Sequence, residues 1–160
     1  MSLDRVDRQI LRILQGDGRI SNADLAAQIN LSPSACLRRV KSLEEAGVID
    51  RYVALLNQQK IGKPMSIIVE ISLHSQSLDV LNAFEAAVCR SSEIRECFLM
   101  AGDADYIIKV SASDAADFER IHRDHLATLP GVSKMRSNFA IRKVVDRTDF
   151  ELSEQHQPLP

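Results

Sequence analysis

The sequence predicts an α+β chain in two parts, three short helices followed by a β-α-β-β-α-β array. Three observations carry that prediction. Up to Gly47, apolar residues recur at helical spacing, and a cap residue stands before each run. From Ser66 onward four stretches alternate between apolar and more polar residues, the period of a half-buried strand. Two further helical runs fall among those four stretches in the order of a split βαβ unit.

The first helix spans residues 4–15, with Val6, Ile10, Ile13 and Leu14 on one face. Asp4 is its N-cap, and Gly16-Asp17-Gly18 ends it. The second starts at Ser21, with Asp24 three residues on, and buries Leu25, Ala26 and Ile29. Asn30-Leu31 breaks the pattern. Ser32 then caps a third helix, and Pro33 takes the first helical position, where a missing N–H does no harm. That helix runs to Ala46, and Gly47 supplies the left-handed residue that stops it.

Two short helices joined by a tight turn form a helix-turn-helix, whose last helix lies in the major groove of DNA. Projected at about 100° per residue, Leu37, Val40, Leu43 and Gly47 fall on one side of the third helix, beside Cys36 and Pro33. Ser34, Arg38, Ser42 and Glu45 fall on the other, flanked by Lys41 and Arg39. The first side is expected to face the helical core and the second the DNA. Arg38 is the expected base contact, since a guanidinium forks onto guanine, with Ser34 and Ser42 assisting. Ser32, Arg39 and Lys41 are the expected phosphate contacts. The β-rich stretch Val48 to Leu56 follows as a strand, in the position of a wing.

Asn57 to Met65, with Gly62 and Pro64, reads as a linker. A strand over 66–73 alternates at Ile67, Val69, Ile71 and Leu73, and a helix over 78–89 carries Leu78, Leu81, Phe84 and Val88. Strands 94–101 and 106–111 meet across Gly102-Asp103-Ala104-Asp105, a reversal made of turn formers. Ser113 caps a helix bearing Phe118, Ile121, His122, Leu126 and Leu129, closed by Pro130-Gly131 before a last strand at about 132–144. Right-handed crossovers put both helices on one face of a four-stranded antiparallel, ferredoxin-like sheet. The other face keeps apolar residues such as Ile68 and Ile108, which predicts a second subunit against it. The expected organisation is a helix-turn-helix domain over 1–56, a linker over 57–65, a βαββαβ domain over 66–146 and a frayed tail over 147–160.

Composition narrows the function classes. With 45% hydrophobic and 26% charged residues the chain is neither disordered nor fibrous. No apolar run approaches the roughly 18 residues of a membrane helix, and the charged N-terminus lacks a signal-peptide core, so a cytoplasmic protein is expected. Residues 1–60 hold nine Lys and Arg against seven Asp and Glu, and the remainder is acidic, a weak sign of nucleic acid at one end. Cys36, Cys89 and Cys97 form no CxxC pair and read as free thiols. His122 and His125 are three apart, where a zincin helix needs four and a glutamate directly after the first histidine, so a half-buried helix face is the better reading. His74 stands alone at a strand end and His156 in the tail. With no GxSxG, P-loop or GxGxxG motif, neither a catalytic site nor a cofactor is expected.

The motifs together resemble one family. They are Leu3-Asp4-Arg5-Val6-Asp7-Arg8-Gln9-Ile10-Leu11, Leu31-Ser32-Pro33-Ser34-Ala35-Cys36-Leu37-Arg38-Arg39-Val40 and Leu43-Glu44-Glu45-Ala46-Gly47-Val48-Ile49, then Gly102-Asp103-Ala104-Asp105-Tyr106 and Leu129-Pro130-Gly131-Val132. In this order they resemble the Lrp/AsnC, or feast/famine, transcription regulators, from Leu3 to about Val145. The resemblance implies a winged helix-turn-helix joined to a βαββαβ domain that dimerises and assembles further, usually as a ring of four dimers. It also implies a small amino-acid effector bound between dimers, and a roughly palindromic operator on double-stranded DNA. By position, the effector site would draw on Leu99, Met100, Gly102, Asp103, Ala104 and Asp105, and on Ser137, Asn138, Phe139 and Ala140 of the last strand. Backbone N–H groups at the turn suit a carboxylate, and an acidic side chain suits an ammonium. Two alternatives share this fold: a sirohaem-decarboxylase-like enzyme, and an amino-acid-binding module without DNA contact.

Overall fold

The computed structural model describes residues 2–152. They fall into two compact units, residues 2–55 with 145–152, and residues 56–144. The first unit is built on α1 (Arg5–Gly16), α2 (Asn22–Gln28) and α3 (Pro33–Glu45). Each starts at the expected cap: Asp4, Ser21 and Ser32 accept from the backbone N–H groups of Asp7, Asp24 and Ala35. At α1 the cap is reciprocal, because the Asp7 carboxylate also accepts from the Asp4 N–H. Gly47 ends α3 at φ +69°, where a Cβ would be strained. Ile10, Leu11, Leu25, Ala26, Ile29, Cys36 and Leu43 make the core.

Two expectations fail in this unit. Residues 48–56 join no strand: they have no ladder partner among the described residues, and Tyr52, Val53, Leu55 and Leu56 stand exposed. A β-rich sequence forms a strand only where a neighbour supplies the hydrogen bonds. The tail is also not frayed as far as Leu152. Gln15 brackets Phe150, accepting from its N–H at 2.7 Å and donating to its carbonyl at 3.2 Å. Arg12 donates to the Leu152 carbonyl at 2.8 Å, and the Leu152 side chain packs on the helical core. Deleting residues 148–160 is therefore expected to destabilise this unit by about 1–2 kcal/mol. Hydrogen exchange reads it as faster exchange in α1, and unchanged protection there would contradict it. His156 lies outside the described residues.

The second unit contains β1 (Met65–Leu73), α4 (Leu78–Arg90), β2 (Ile94–Leu99), β3 (Tyr106–Ala112), α5 (Ala115–Ile121) and β4 (Val132–Phe139), in the sheet order β2-β3-β1-β4. All pairings are antiparallel. Ile67, Val69, Ile71, Tyr106, Ile108 and Val110 face the helices and pack with Phe84, Val88, Ile121 and Leu126. Ile108, expected on the open face, is thus wholly buried under the helices, and Ile107 takes the open side. The β3 alternation runs one residue out of step with that expectation. Asp114, not Ser113, caps α5, and a π-helical turn over His122–Leu126 continues it. Gly131 is obligatory: at φ +78° an added Cβ would sit 2.7 Å from Val80 Cγ1.

The stretch read as a linker packs on this unit. Gln58 donates to Ser111 Oγ at 3.1 Å, and Lys63 pairs with Asp117 at 2.7 Å. Asp117 also accepts from Arg120 and the Ser113 N–H, and these donors, the Lys63 ammonium first, hold its carboxyl well below the usual carboxylate range.

Candidate nucleic-acid interface and effector site

Helix α3 is seated by its buried side. Cys36 and Leu43 are fully buried, and Asn22 of α2 donates to the Pro33 carbonyl at 2.8 Å, fixing the turn between the two helices. The opposite side is open. Ser32, Ser34, Arg38, Lys41 and Ser42 are all exposed, with Ser32 and Ser34 hydroxyls 3.2 Å apart. Among the described residues, neither Arg38 nor Lys41 is engaged by a carboxylate. Three hydroxyls, a forked guanidinium and an ammonium on this open side are groove and phosphate chemistry.

Arg39 departs from its expected phosphate role. Its Nη1 donates to Asp4 at 2.7 Å and to Asp7 at 2.8 Å, tying α3 to the first turn of α1. The arginine lies about 100° around the helix from Arg38 and so reaches the neighbouring helix. Both acceptors raise the Arg39 pKa, while the Asp7 N–H and then Arg39 hold the Asp4 carboxyl below its ordinary value. Asp7 is only 4% exposed, so Arg39 neutralises a nearly buried charge. The Asp4/Asp7 pair, three residues apart beneath an arginine helix, was the signal in the sequence.

Leu37 is a second departure. Expected in the core, it is 44% exposed, at the border of the open face rather than behind it.

In the second unit the expected effector residues are not one cluster. Leu99 ends the edge strand β2 and Met100 follows it, while Ser137, Asn138 and Phe139 belong to the opposite edge, β4, and Ala140 follows that strand. Phe139 turns to the helical side and meets Phe118 edge-on at 5.1 Å. Asp105 is engaged by its own chain: one carboxylate oxygen accepts from the Leu73 N–H at 2.7 Å, the other from Gln76 at 2.6 Å. Those bonds clamp the hairpin turn to the end of β1, so this acidic residue of the expected effector set is already engaged by its own chain.

The turn does border a polar cleft of about 180 Å³, lined by Asp103 and Ala104 with Glu70, Ser72, Lys134 and Arg136. Glu70 accepts from Arg136 and, at 3.0 Å, from Asn138. Lys134 and Asp103 have no ion-pair partner among the described residues, leaving one free charge of each sign. The four strand residues are the polar complement of the buried alternation on β1 and β4, and such a pattern by itself marks only a solvated sheet face.

The remaining reactive groups are quiet. Burial pushes the Cys97 thiol up to about 11, with Glu85 adding to the effect, and burial also raises Cys36. His122 lies edge-on to Phe118 at 6.1 Å, and no group of three metal-ligating side chains occurs among the described residues.

Comparison with known proteins completes the picture. Residues 3–50 match the family model described as winged helix-turn-helix DNA-binding, and residues 66–150 match the Lrp/AsnC ligand binding domain. The leucine-responsive regulatory protein of Haemophilus influenzae is 42% identical over 149 residues, covering 93% of this chain and 89% of that protein. A transcriptional regulator of Neisseria meningitidis, solved as its L-Met complex, superposes with TM-score 0.88 at 32% identity, over 94% of this chain and 97% of that one. An AsnC family regulator from Agrobacterium tumefaciens gives 0.87 at 36%, over 92% and 96%. These relatives are named as regulators, not enzymes, and the sirohaem-decarboxylase reading is set aside with them. The chain belongs to the Lrp/AsnC family and is a DNA-binding transcriptional regulator with an amino-acid-binding domain.

Proposed function

We propose that this regulator is controlled by a small amino acid held between subunits of the second unit, and that the ligand shifts assembly or DNA affinity. One observation carries the reading. In the order β2-β3-β1-β4, Leu99 and Met100 at the end of β2 and Ser137, Asn138 and Phe139 of β4 lie on opposite edges of one sheet. Two intervening strands, about 4.8 Å apart each, hold them away from one another. Leu99 and Met100 come beside Ser137 and Asn138 only when the β2 edge of one subunit meets the β4 edge of another. Asp103, in the same cleft as Lys134, takes the ammonium, and Lys134 and the turn N–H groups receive the carboxylate.

The open sheet face supports assembly as a homodimer, which builds further to an octamer. It offers Phe98, Ile107 and Ile68 beside the Lys109–Glu96 pair at 2.6 Å, an apolar strip with a charged border. Two-fold pairing presents two α3 helices to a roughly palindromic operator, with half-sites separated by about one or more helical turns. At each half-site Arg38 reads a base, Ser34 and Ser42 assist, and Lys41 and Ser32 hold phosphates. The protein works in the cytoplasm.

Thermal-shift screening of the twenty amino acids tests the ligand, with sedimentation as the second readout. Selective binding raises the melting point, by about 2.7 kcal/mol of stabilisation at a hundred times the dissociation constant. Asp103→Ala is expected to remove the shift. An amino acid that binds equally well to monomers at high dilution would overturn the placement between subunits.

A further inference from the structure

We propose that Leu37 is a specificity-determining residue that reads thymine through its C5-methyl group in the major groove. Helix α3 divides its apolar side chains sharply. Cys36 and Leu43 are fully buried, whereas Leu37 is 44% exposed. Its neighbours along the helix are Ser34, three residues back, and Lys41, four residues on, with Arg38 adjacent; all three are exposed. The leucine therefore borders the strip, on one ridge with Ser34 and Lys41 and about 100° around the helix from Arg38.

A single exposed leucine is common on protein surfaces and by itself means nothing. Its setting is what gives it meaning. The acidic residues of α3, Glu44 and Glu45, stand at its C-terminal end, where phosphate would repel them. The earlier turns, carrying Ser34, Leu37, Arg38 and Lys41, are the part of the helix that DNA tolerates. In the major groove the bases present hydrogen-bonding groups and one apolar group, the thymine methyl. Arg38 and the serines match the first kind, and Leu37, a large apolar side chain exposed on α3, matches the second. A branched aliphatic chain beside an arginine thus assigns the half-site a thymine next to, or one step from, the guanine that Arg38 takes.

The inference rests on α3 being the helix that enters the groove, and its test separates the two claims. Duplexes are selected from a random library with the full-length protein, and each thymine is replaced in turn by deoxyuridine. That change keeps every hydrogen-bonding group and removes only the methyl. Fluorescence anisotropy at fixed salt is expected to show one thymine per half-site whose replacement weakens binding roughly fourfold, the value for one buried methyl-sized group. Leu37→Ala, whose melting curve checks its fold, is expected to bind the unmodified duplex more weakly and to lose sensitivity at that position alone. Uniform tolerance of deoxyuridine, or a Leu37→Ala protein that keeps the wild-type sensitivity, would overturn the proposal while leaving DNA binding intact. Failure to select any duplex would overturn both.

Discussion

Arg38→Ala is expected to weaken operator binding by about 1–3 kcal/mol, roughly five- to 150-fold, and to relax base preference at one position of each half-site. The side chain is exposed on α3 and free of carboxylates among the described residues, so no internal bond offsets its loss. A bidentate arginine–guanine contact carries sequence information that a phosphate contact does not. The distinguishing readout is the pattern across sequences. Loss of affinity for cognate DNA with little change on random DNA marks a base contact; an equal loss on both would move Arg38 to the phosphate backbone. Lys41→Ala is the natural control, because removing one phosphate contact flattens the slope of log affinity against log salt by about 0.9.

Arg39→Ala is expected to behave differently from both. It leaves Asp7, nearly buried, beside Asp4 with no cation between them, and destabilises the first unit by about 1–2 kcal/mol. The estimate sits low in the range for charged hydrogen bonds because Arg39 and Asp4 both face water. Affinity for DNA falls as α3 loosens against α1, yet the salt slope stays that of the wild type. A slope reduced by about 0.9 would instead restore Arg39 to the phosphates. Acid gives an independent check. Because the Asp4 carboxyl titrates lower in the fold than its ordinary value of 3.8, its contribution is present above that pH and is lost as the pH falls through the folded value. Arg39→Ala is expected to shrink this acid-limb loss below about pH 4, measured by denaturant titration.

Local signals were legible wherever one residue decides the outcome by itself. Asp4, Ser21 and Ser32 cap their helices through a side-chain oxygen three residues from its donor, a relation written in the sequence. Gly47 and Gly131 hold the positive φ angles that their neighbours could not. The four strands and their helices appear in the predicted order, because an alternation of period two and a spacing of three or four leave few readings.

What failed to show depended on a partner far along the chain. Arg39 reads as one more surface cation until α1 brings Asp4 and Asp7 beneath it. Leu37 differs from Cys36 and Leu43 only by how α3 is rolled against α2. Asp105 becomes a clamp only because β1 ends beside the turn, and Phe150 and Leu152 return to α1 from over a hundred residues away. Short-range pattern was enough to place α1 to α3 with their caps, the order of the four sheet strands and the helix that carries groove chemistry, since those follow from interactions within about four residues. Which charges are left unpaired, and which of the expected effector residues lie on different strands, follows from the tertiary structure. A side chain's free energy depends on what desolvates or neutralises it, and distant residues supply both.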